Sequence, residues 1–363
     1  MKVGILFLSN QKMGGVYQYS LSFIDCLLKN KKVKELTVFT NKNDLTIKNV
    51  KVVLIKNYSL KLIFSIFFGA ISIFPKLLFK KIDLLFAPAY SPLLFLSKSQ
   101  INITIHDLQE IYYPKNFNKT TLFWRKFMYQ RIKKIASNII TESSYVKEDI
   151  ARYLNFNKEK IHVIESPPYF DKWNLTLNNE REFKNYINQN FEYIFFPAQF
   201  WKHKNHKRVL KAFSKFSKDF KSVKMILTGN KNREYSSILD LITKLKIRDK
   251  IIFFNRIPQK LMPYFFKNSV FTIAPTLHES ISIPVFEAFQ YQSPVCASRI
   301  LAIKDQVSDC GLLFNPESIE DIYKCMHKLY VDRDLREKLK LKGKKRLKYF
   351  SVSRFNKKIN KIL

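Results

Sequence analysis

Short apolar runs rich in β-branched and aromatic residues alternate along the chain with longer amphipathic stretches, and this alternation restricts the fold more than any other feature. The first half contains runs at 3–8, 36–40, 52–55, 84–86, 101–105 and 139–141, and the second half contains runs at 193–196, 224–227, 251–254, 270–274 and 294–297. Strands that alternate with helices are typical of a parallel sheet covered by helices. We therefore predict an α/β protein with two Rossmann-like domains.

The boundary between the two series of runs is marked by turn-forming and polar residues. The chain of 363 residues exceeds the size at which one hydrophobic core keeps growing. Ser166-Pro167-Pro168 and the polar stretch after it show little apolar periodicity. We predict an N-terminal domain at 1–168, a linker at 169–188, a C-terminal domain at 189–345 and a final helix at 346–363 that packs back on the first domain. Because parallel sheets bind ligands beyond the carboxyl ends of their strands, we expect the site in a cleft between the domains.

The chain is strongly basic, with 64 Lys and Arg against 29 Asp and Glu, a formal net charge of +35. Such a balance favours an anionic partner, and nucleic acid, a nucleotide and an anionic membrane surface all qualify. A merely basic, solvated surface is the alternative. No nucleic-acid-binding module is visible, so nucleic acid is disfavoured as the partner. The spacing of Cys and His predicts no metal site.

The first residues and one internal segment bear on localisation. Met1-Lys2 leads directly into a short strand-like run, which differs from a secretory leader, and we predict a cytoplasmic protein. Leu62–Phe74 has no charge over its length and is bracketed by lysines. It is too short to span a bilayer, so a core helix and an interfacial helix both remain open. The segment and the basic C-terminal region favour peripheral attachment to the inner face of the cytoplasmic membrane.

Two glutamates eight positions apart lie after the strand that ends near residue 274. Pro284 suits the first turn of a helix, which places Glu279 in the loop and Glu287 about one turn into that helix. A helix start offers unpaired N–H groups to phosphate, and the two carboxylates would accept hydrogen bonds from sugar and ribose hydroxyls. The alternative for Glu287 is a charge in the first turn of a helix.

A lysine-rich loop follows the first strand of the second half. Lys204 would lie there beyond a strand end and would neutralise the charge that grows on a departing phosphate. A solvated basic helix start is the alternative reading of Lys202, Lys204 and their neighbours.

Two features of the first half also follow strands. Gly14 and Gly15 permit close approach of the backbone to a phosphate or sugar, although they lack the full dinucleotide-binding pattern. His106 stands at a strand end beside Asp107 and would act as an acid, base or donor, or would serve a structural role.

These segments occur in an order and spacing that resemble family 4 glycosyltransferases of the GT-B fold, a retaining group that includes bacterial mannosyl- and rhamnosyltransferases. The segments are the glycine pair, 104–108, 196–206 and 277–287. Similar stretches at 141–150 and 310–316 extend the resemblance over most of the chain.

The resemblance implies a role for each candidate residue. Glu279 would contact the donor sugar and the adjoining phosphate, Glu287 would bond the ribose, and Lys204 would hold the diphosphate. The Gly14-Gly15 loop would close on the diphosphate, and His106 would approach the transferred sugar. The resemblance further implies retention of configuration without a metal or other cofactor.

Three positions depart from the family's pattern. Gln199 stands where an arginine is common, and serines 280 and 282 stand where glycines are usual. Lys202 or another cation would then supply the missing charge, while the serines still offer backbone N–H groups. The remaining residues expected to bind the donor are Gln199, Ser280, Ser282 and Ile283.

The predicted function is transfer of a hexose or deoxyhexose from a nucleoside-diphosphate sugar to a glycan or lipid-linked acceptor, in the synthesis of surface polysaccharide or lipopolysaccharide. A nucleic-acid-binding basic protein, and another GT-B enzyme such as a sugar-nucleotide epimerase, are the alternatives.

Overall fold

In a computed structural model, the chain divides into two units. The structure describes residues 1–9, 15–42, 47, 50–55, 81–97, 99–168, 175–187, 191–232 and 234–363. One unit comprises Met1–Tyr169 together with Phe350–Leu363, and the other comprises Phe170–Tyr349.

The first unit is built on a parallel sheet, which has seven strands in the described part of the chain, in the order β3-β2-β1-β4-β5-β6-β7. The strands are β1 Lys2–Phe7, β2 Glu35–Thr40, β3 Lys51–Leu54, β4 Leu84–Ala87, β5 Gln100–Thr104, β6 Asn138–Thr141 and β7 Ile161–Val163. The α-helices among the described residues before 169 are α1 Gly15–Leu28, α2 Gln109–Tyr112, α3 Lys119–Ile135 and α4 Ser144–Leu154. Burial of β1 on both faces explains its nearly continuous apolar sequence.

The second unit repeats this architecture with six parallel strands among the described residues, in the order β10-β9-β8-β11-β12-β13. The strands are β8 Tyr193–Pro197, β9 Lys224–Thr228, β10 Ile251–Phe254, β11 Phe271–Ala274, β12 Val295–Ser298 and β13 Leu312–Phe314. The helices are α5 Leu177–Ile187, α6 His206–Asp219, α7 Tyr235–Lys244, α8 Met262–Lys267, α9 Ile283–Gln290, α10 Leu301–Val307, α11 Ile319–Val331 and α12 Arg333–Leu347.

The α/β class and the two parallel sheets predicted from the alternating pattern are confirmed. Each of the eleven predicted runs coincides with a strand to within one residue at each end. The short edge strands β7 and β13 are not among the predicted runs, although the runs at 84–86 and 139–141 are no longer than these strands. Helix α5 falls within the stretch expected to be a linker and is part of the second unit.

The last helix, α13 Val352–Ile359, packs against the first unit. The Phe355 ring meets the Phe23 ring of α1 edge to face at a centroid distance of 5.0 Å, and both rings are buried. Asn102 of β5 donates to the carbonyl of Ile362 at 3.2 Å, and Lys358 pairs with Glu165. The end of the chain therefore completes the core of the unit that contains its beginning.

In the part of the chain that the structure describes, no helix combines the length and the apolar character needed to cross a bilayer. The apolar segment Leu62–Phe74 lies outside the described residues.

Candidate active site

The two loops that carry Lys204 and Glu279 follow the two central strands of the second sheet. Strands β8 and β11 are neighbours there, and the chain continues from β8 to one side of the sheet and from β11 to the other. Such a reversal of strand order is the point at which open α/β sheets bind ligands, beyond the carboxyl ends of the strands. The topology therefore places both residues where a ligand of this unit is expected.

The side chains of Lys204 and Glu279 meet directly. The Lys204 ammonium donates a hydrogen bond to Oε1 of Glu279, and the two side chains keep only 17% and 20% of their surface exposed. The backbone joins the same loops, because the Leu277 N–H donates to the carbonyl of His203 at 2.7 Å. Both charged groups are partly removed from water, and each compensates the charge of the other. Because the two groups are in contact, an anion that binds the Lys204 ammonium also lies close to the Glu279 carboxylate.

The start of α9 is held by a side chain that the sequence did not indicate. Gln306 of α10 is 3% exposed. Its Oε1 accepts from the N–H of Ser282 and its Nε2 donates to the carbonyl of Ser282, both at 2.8 Å. Ser282 has extended backbone and is the N-cap of α9, with Pro284 in the first turn. The Gln306 amide therefore fixes the loop that contains Ser280 and Ser282 at the start of α9. It also occupies the Ser282 N–H, so the expectation that this N–H is offered to the donor is wrong.

Replacing Gln306 by methionine, which has a similar shape and no amide, should leave the buried N–H and carbonyl of Ser282 without these bonds. We expect the free energy of unfolding to fall by about 2 kcal/mol, measured by urea denaturation. The matched control is Gln290→Met at the exposed end of α9, which should change stability by less than about 0.5 kcal/mol. Equal stability of the two variants would contradict a clamping role for Gln306.

Glu287 is half-buried and is the fifth residue of α9, in agreement with its predicted place about one turn into the helix. Burial, followed by the negative charge of Glu287, raises the pKa of the Tyr291 hydroxyl to about 12. The carboxylate thus lies near a phenol that stays protonated at neutral pH. Ile283 begins the same helix.

Gln199 is tied to the neighbouring strand end. Its Oε1 accepts from the Asn230 N–H at 3.0 Å. The loops approach closely here, since a Cβ on Gly229 would lie 2.5 Å from the carbonyl oxygen of Ala198. The amide therefore joins the loops after β8 and β9. Lys202, the expected substitute for the missing arginine, has an exposed side chain in the short helical turn Lys202–Lys204.

Two histidines, the half-buried His203 and the buried His206, flank Lys204 without adding charge. Burial, together with the nearby Lys204 ammonium, lowers the pKa of His203 and of His206 to about 3. His206 begins α6 and stacks on Phe196 at a centroid distance of 4.3 Å. Both rings are therefore neutral at physiological pH, and the positive charge beside Glu279 comes from Lys204.

In the first unit, His106 connects three strand ends. It follows β5, its Nδ1 lies 3.0 Å from Oε2 of Glu142 after β6, and its Nε2 lies 2.9 Å from the carbonyl oxygen of Pro88 after β4. Tyr19 of α1 packs edge to face on the ring at 4.7 Å. Burial by itself would lower the pKa of His106, but the hydrogen bond and charge of Glu142 raise it above the usual value. Because both ring nitrogens face acceptors, the imidazolium satisfies both bonds.

The structure thus brings together Lys204, Glu279 and the start of α9, and places His106 in the other unit. Gly15 is the first residue of α1, and Gly14 lies outside the described residues. Sequence reasoning missed Gln306 and the partnership of Glu142 with His106. The sequence does offer a signal for Glu142, because this residue directly follows a predicted strand. It offers no signal for Gln306.

Two families of known proteins match this chain. The family described as "Glycosyltransferase Family 4" matches residues 13–167, and the family described as "Glycosyl transferases group 1" matches residues 178–346. The O-antigen chain mannosyltransferase RfbU of Salmonella typhimurium is 24% identical over 215 residues. That match covers 59% of this chain and 56% of the relative, so the chain is matched over little more than half of that relative's length.

Solved structures share the fold over the whole chain. Sucrose-phosphate synthase from Thermosynechococcus elongatus superposes with a TM-score of 0.78 at 15% identity, covering 100% of this chain and 98% of the other. HepE of Anabaena, solved with UDP and glucose, gives a TM-score of 0.76 at 16% identity, covering 100% and 99%. The predicted GT-B fold is confirmed by these similarities.

Proposed function

The chain belongs to glycosyltransferase family 4, and we propose that it transfers a hexose or deoxyhexose from a nucleoside-diphosphate sugar to a glycan or lipid-linked acceptor. The acceptor would be an intermediate of surface polysaccharide or lipopolysaccharide synthesis. The mannosyltransferase named among the similar proteins and the UDP and glucose bound to the Anabaena structure support this class of reaction.

The observation that carries the proposal is the Lys204–Glu279 pair at the switch point of the second sheet. A nucleotide sugar has a strongly anionic diphosphate next to a sugar rich in hydroxyl groups. An ammonium is suited to the phosphates, and a carboxylate is suited to accept from hydroxyls. Two such groups in contact match the junction between phosphate and sugar.

The chemistry required of these residues is mainly electrostatic. When the bond between the sugar carbon and the phosphate oxygen breaks, negative charge grows on the departing nucleoside diphosphate. Lys204 and the Ile283 N–H at the start of α9 would stabilise that charge, while Glu287 would bond the ribose. The leaving phosphate would help to deprotonate the acceptor hydroxyl on the same face of the sugar, so that configuration is retained without a metal. The roles expected of His106, Gly14 and Gly15 remain predictions.

A lipid-linked acceptor would require the protein to work beside a membrane. We propose a cytoplasmic location with peripheral attachment to the anionic inner face of the cytoplasmic membrane. The net charge of +35 supports this location, since each Lys or Arg near an anionic surface contributes about 1 kcal/mol.

A panel of GDP-, UDP- and dTDP-sugars tests the proposed donor class. We expect one nucleotide to stabilise the protein by about 2.7 kcal/mol when present at about 100 times its dissociation constant, measured from thermal unfolding. Glu287→Ala should weaken this stabilisation, because the ribose loses an acceptor. The control is Glu317→Ala, an exposed glutamate after β13, which should leave it unchanged. If none of the nucleotide sugars binds, the proposed function is wrong.

A further inference from the structure

Helix α3, Lys119–Ile135, has an unusual charge composition. Its seventeen residues include no acid and six bases, which are Lys119, Arg125, Lys126, Arg131, Lys133 and Lys134. The helix begins at a regular cap, where the Asn118 side chain accepts from the Thr121 N–H at 2.8 Å. It is therefore a well-defined helix with a concentrated positive charge, distinct from the C-terminal basic helices.

The two sides of α3 differ sharply. Met128, Tyr129 and Ile132 are buried in the first unit. Phe123 is 74% exposed and Trp124 is 39% exposed. Phe123 precedes Ile132 by nine residues, so at about 100° per residue the two side chains point to opposite sides of the helix. The exposed side thus has a large apolar ring in the first half of the helix.

Lysines surround this ring on the exposed side. Lys126, Lys133 and Lys134 have exposed side chains and, together with Lys119, lie within about 80° of Phe123 around the helix axis. Arg125 faces the other way and pairs with the buried Glu110. Aromatic rings flanked by Lys and Arg are the composition of helices that lie in the interface of an anionic bilayer.

We propose that α3 is the surface by which this protein lies on an anionic lipid bilayer, with Phe123 inserted among the lipids and the lysines on the headgroups. This membrane surface would serve the lipid-linked acceptor of the proposed function and rests on that function for its purpose. The observations that support it are those of helix α3. A second copy of the chain is a poor occupant, since a symmetric contact would bring two sets of positive charges together. A phosphate-bearing lipid surface complements both the charge and the exposed ring.

The test compares two matched triple variants of the whole chain in sedimentation with vesicles of phosphatidylethanolamine and about one third phosphatidylglycerol. The first is F123Q/K126Q/K133Q on α3. The second is L341Q/K338Q/K345Q on α12, where Leu341 is 61% exposed and both lysines are exposed. Each variant loses one exposed apolar side chain and two charges, and glutamine preserves helix propensity.

We expect the α3 variant to bind vesicles about tenfold or more weakly, and the α12 variant to stay within about twofold of the wild type. Stabilisation by the nucleotide sugar should be unchanged in both, so loss of donor binding and loss of membrane binding are separate results. Equal losses in the two variants would overturn the proposal in favour of net charge alone. An α3 variant that binds vesicles like the wild type would also overturn it. If that variant instead changes the oligomeric state or the affinity for an oligonucleotide, the surface binds a second copy of the chain or a nucleic acid, and the proposal is equally wrong.

Discussion

Replacing Lys204 by methionine is expected to lower the rate of sugar transfer by about a hundredfold or more. Removal of one preorganised electrostatic contact to a developing oxyanion costs an enzyme roughly 10²–10³ in rate. In this protein the substitution would also leave Glu279 as an uncompensated carboxylate, 20% exposed, next to the incoming diphosphate. Both consequences oppose departure of the nucleoside diphosphate. Initial rates with the donor identified by the nucleotide panel provide the measurement.

Lys202→Met is the matched control for this experiment. Lys202 lies in the same short helical turn as Lys204, but its side chain is exposed. The control removes the same charge from the same loop and should reduce the rate only a few-fold, because exposed charges are screened by water and salt. A loss as large as that of Lys204→Met would instead show that Lys202 supplies the charge expected of an arginine at position 199. A Lys204→Met enzyme that retains most of its activity would contradict the proposed role. Thermal unfolding of both variants separates loss of activity from loss of structure.

The second large effect concerns stability. Phe355→Ala should destabilise the first unit by about 3–5 kcal/mol, because truncation of a fully buried phenylalanine loses its burial and leaves a cavity. Phe355 is 1% exposed and contacts Phe23, and it shares its core with Ile359 and with apolar residues of β1 and β4. The residues that lose packing contacts therefore belong to α1, β1 and β4, which are far from Phe355 in the sequence.

Hydrogen exchange followed by peptide detects this effect in one unit at a time. Protection should fall in peptides from β1, β4 and α1, while peptides from β8 and β9 should keep theirs. Lys357→Ala, an exposed position on the same helix, should alter neither set. Uniform loss of protection in both units, or no loss in either, would show that the last helix does not act as part of the first core.

The strand pattern could be predicted well because it depends on local sequence. A parallel strand that is buried on both faces appears in the sequence as a short continuous apolar run, and runs such as 193–196 and 251–254 show this pattern without reference to their neighbours. The same local reasoning placed Glu279 in a loop and Glu287 inside a helix. It did not identify β7 and β13, the strands at one edge of each sheet.

The contacts of the candidate site depend on strand order, which no local pattern specifies. Lys204 and Glu279 are 75 residues apart and meet because β8 and β11 are neighbours at the centre of the sheet. The pairing of His106 with Glu142 likewise depends on the adjacency of β5 and β6.

The sequence by itself therefore determined the class of fold, the positions of the strands and the chemical types of residue at their carboxyl ends, since these follow from local periodicity and from the preferences of single residues. The tertiary structure alone decided which of those residues touch, that Gln306 clamps the start of α9, and that the last helix completes the first core. Those features arise from side chains brought together by the order in which parallel strands pair, and that order is a property of the whole chain.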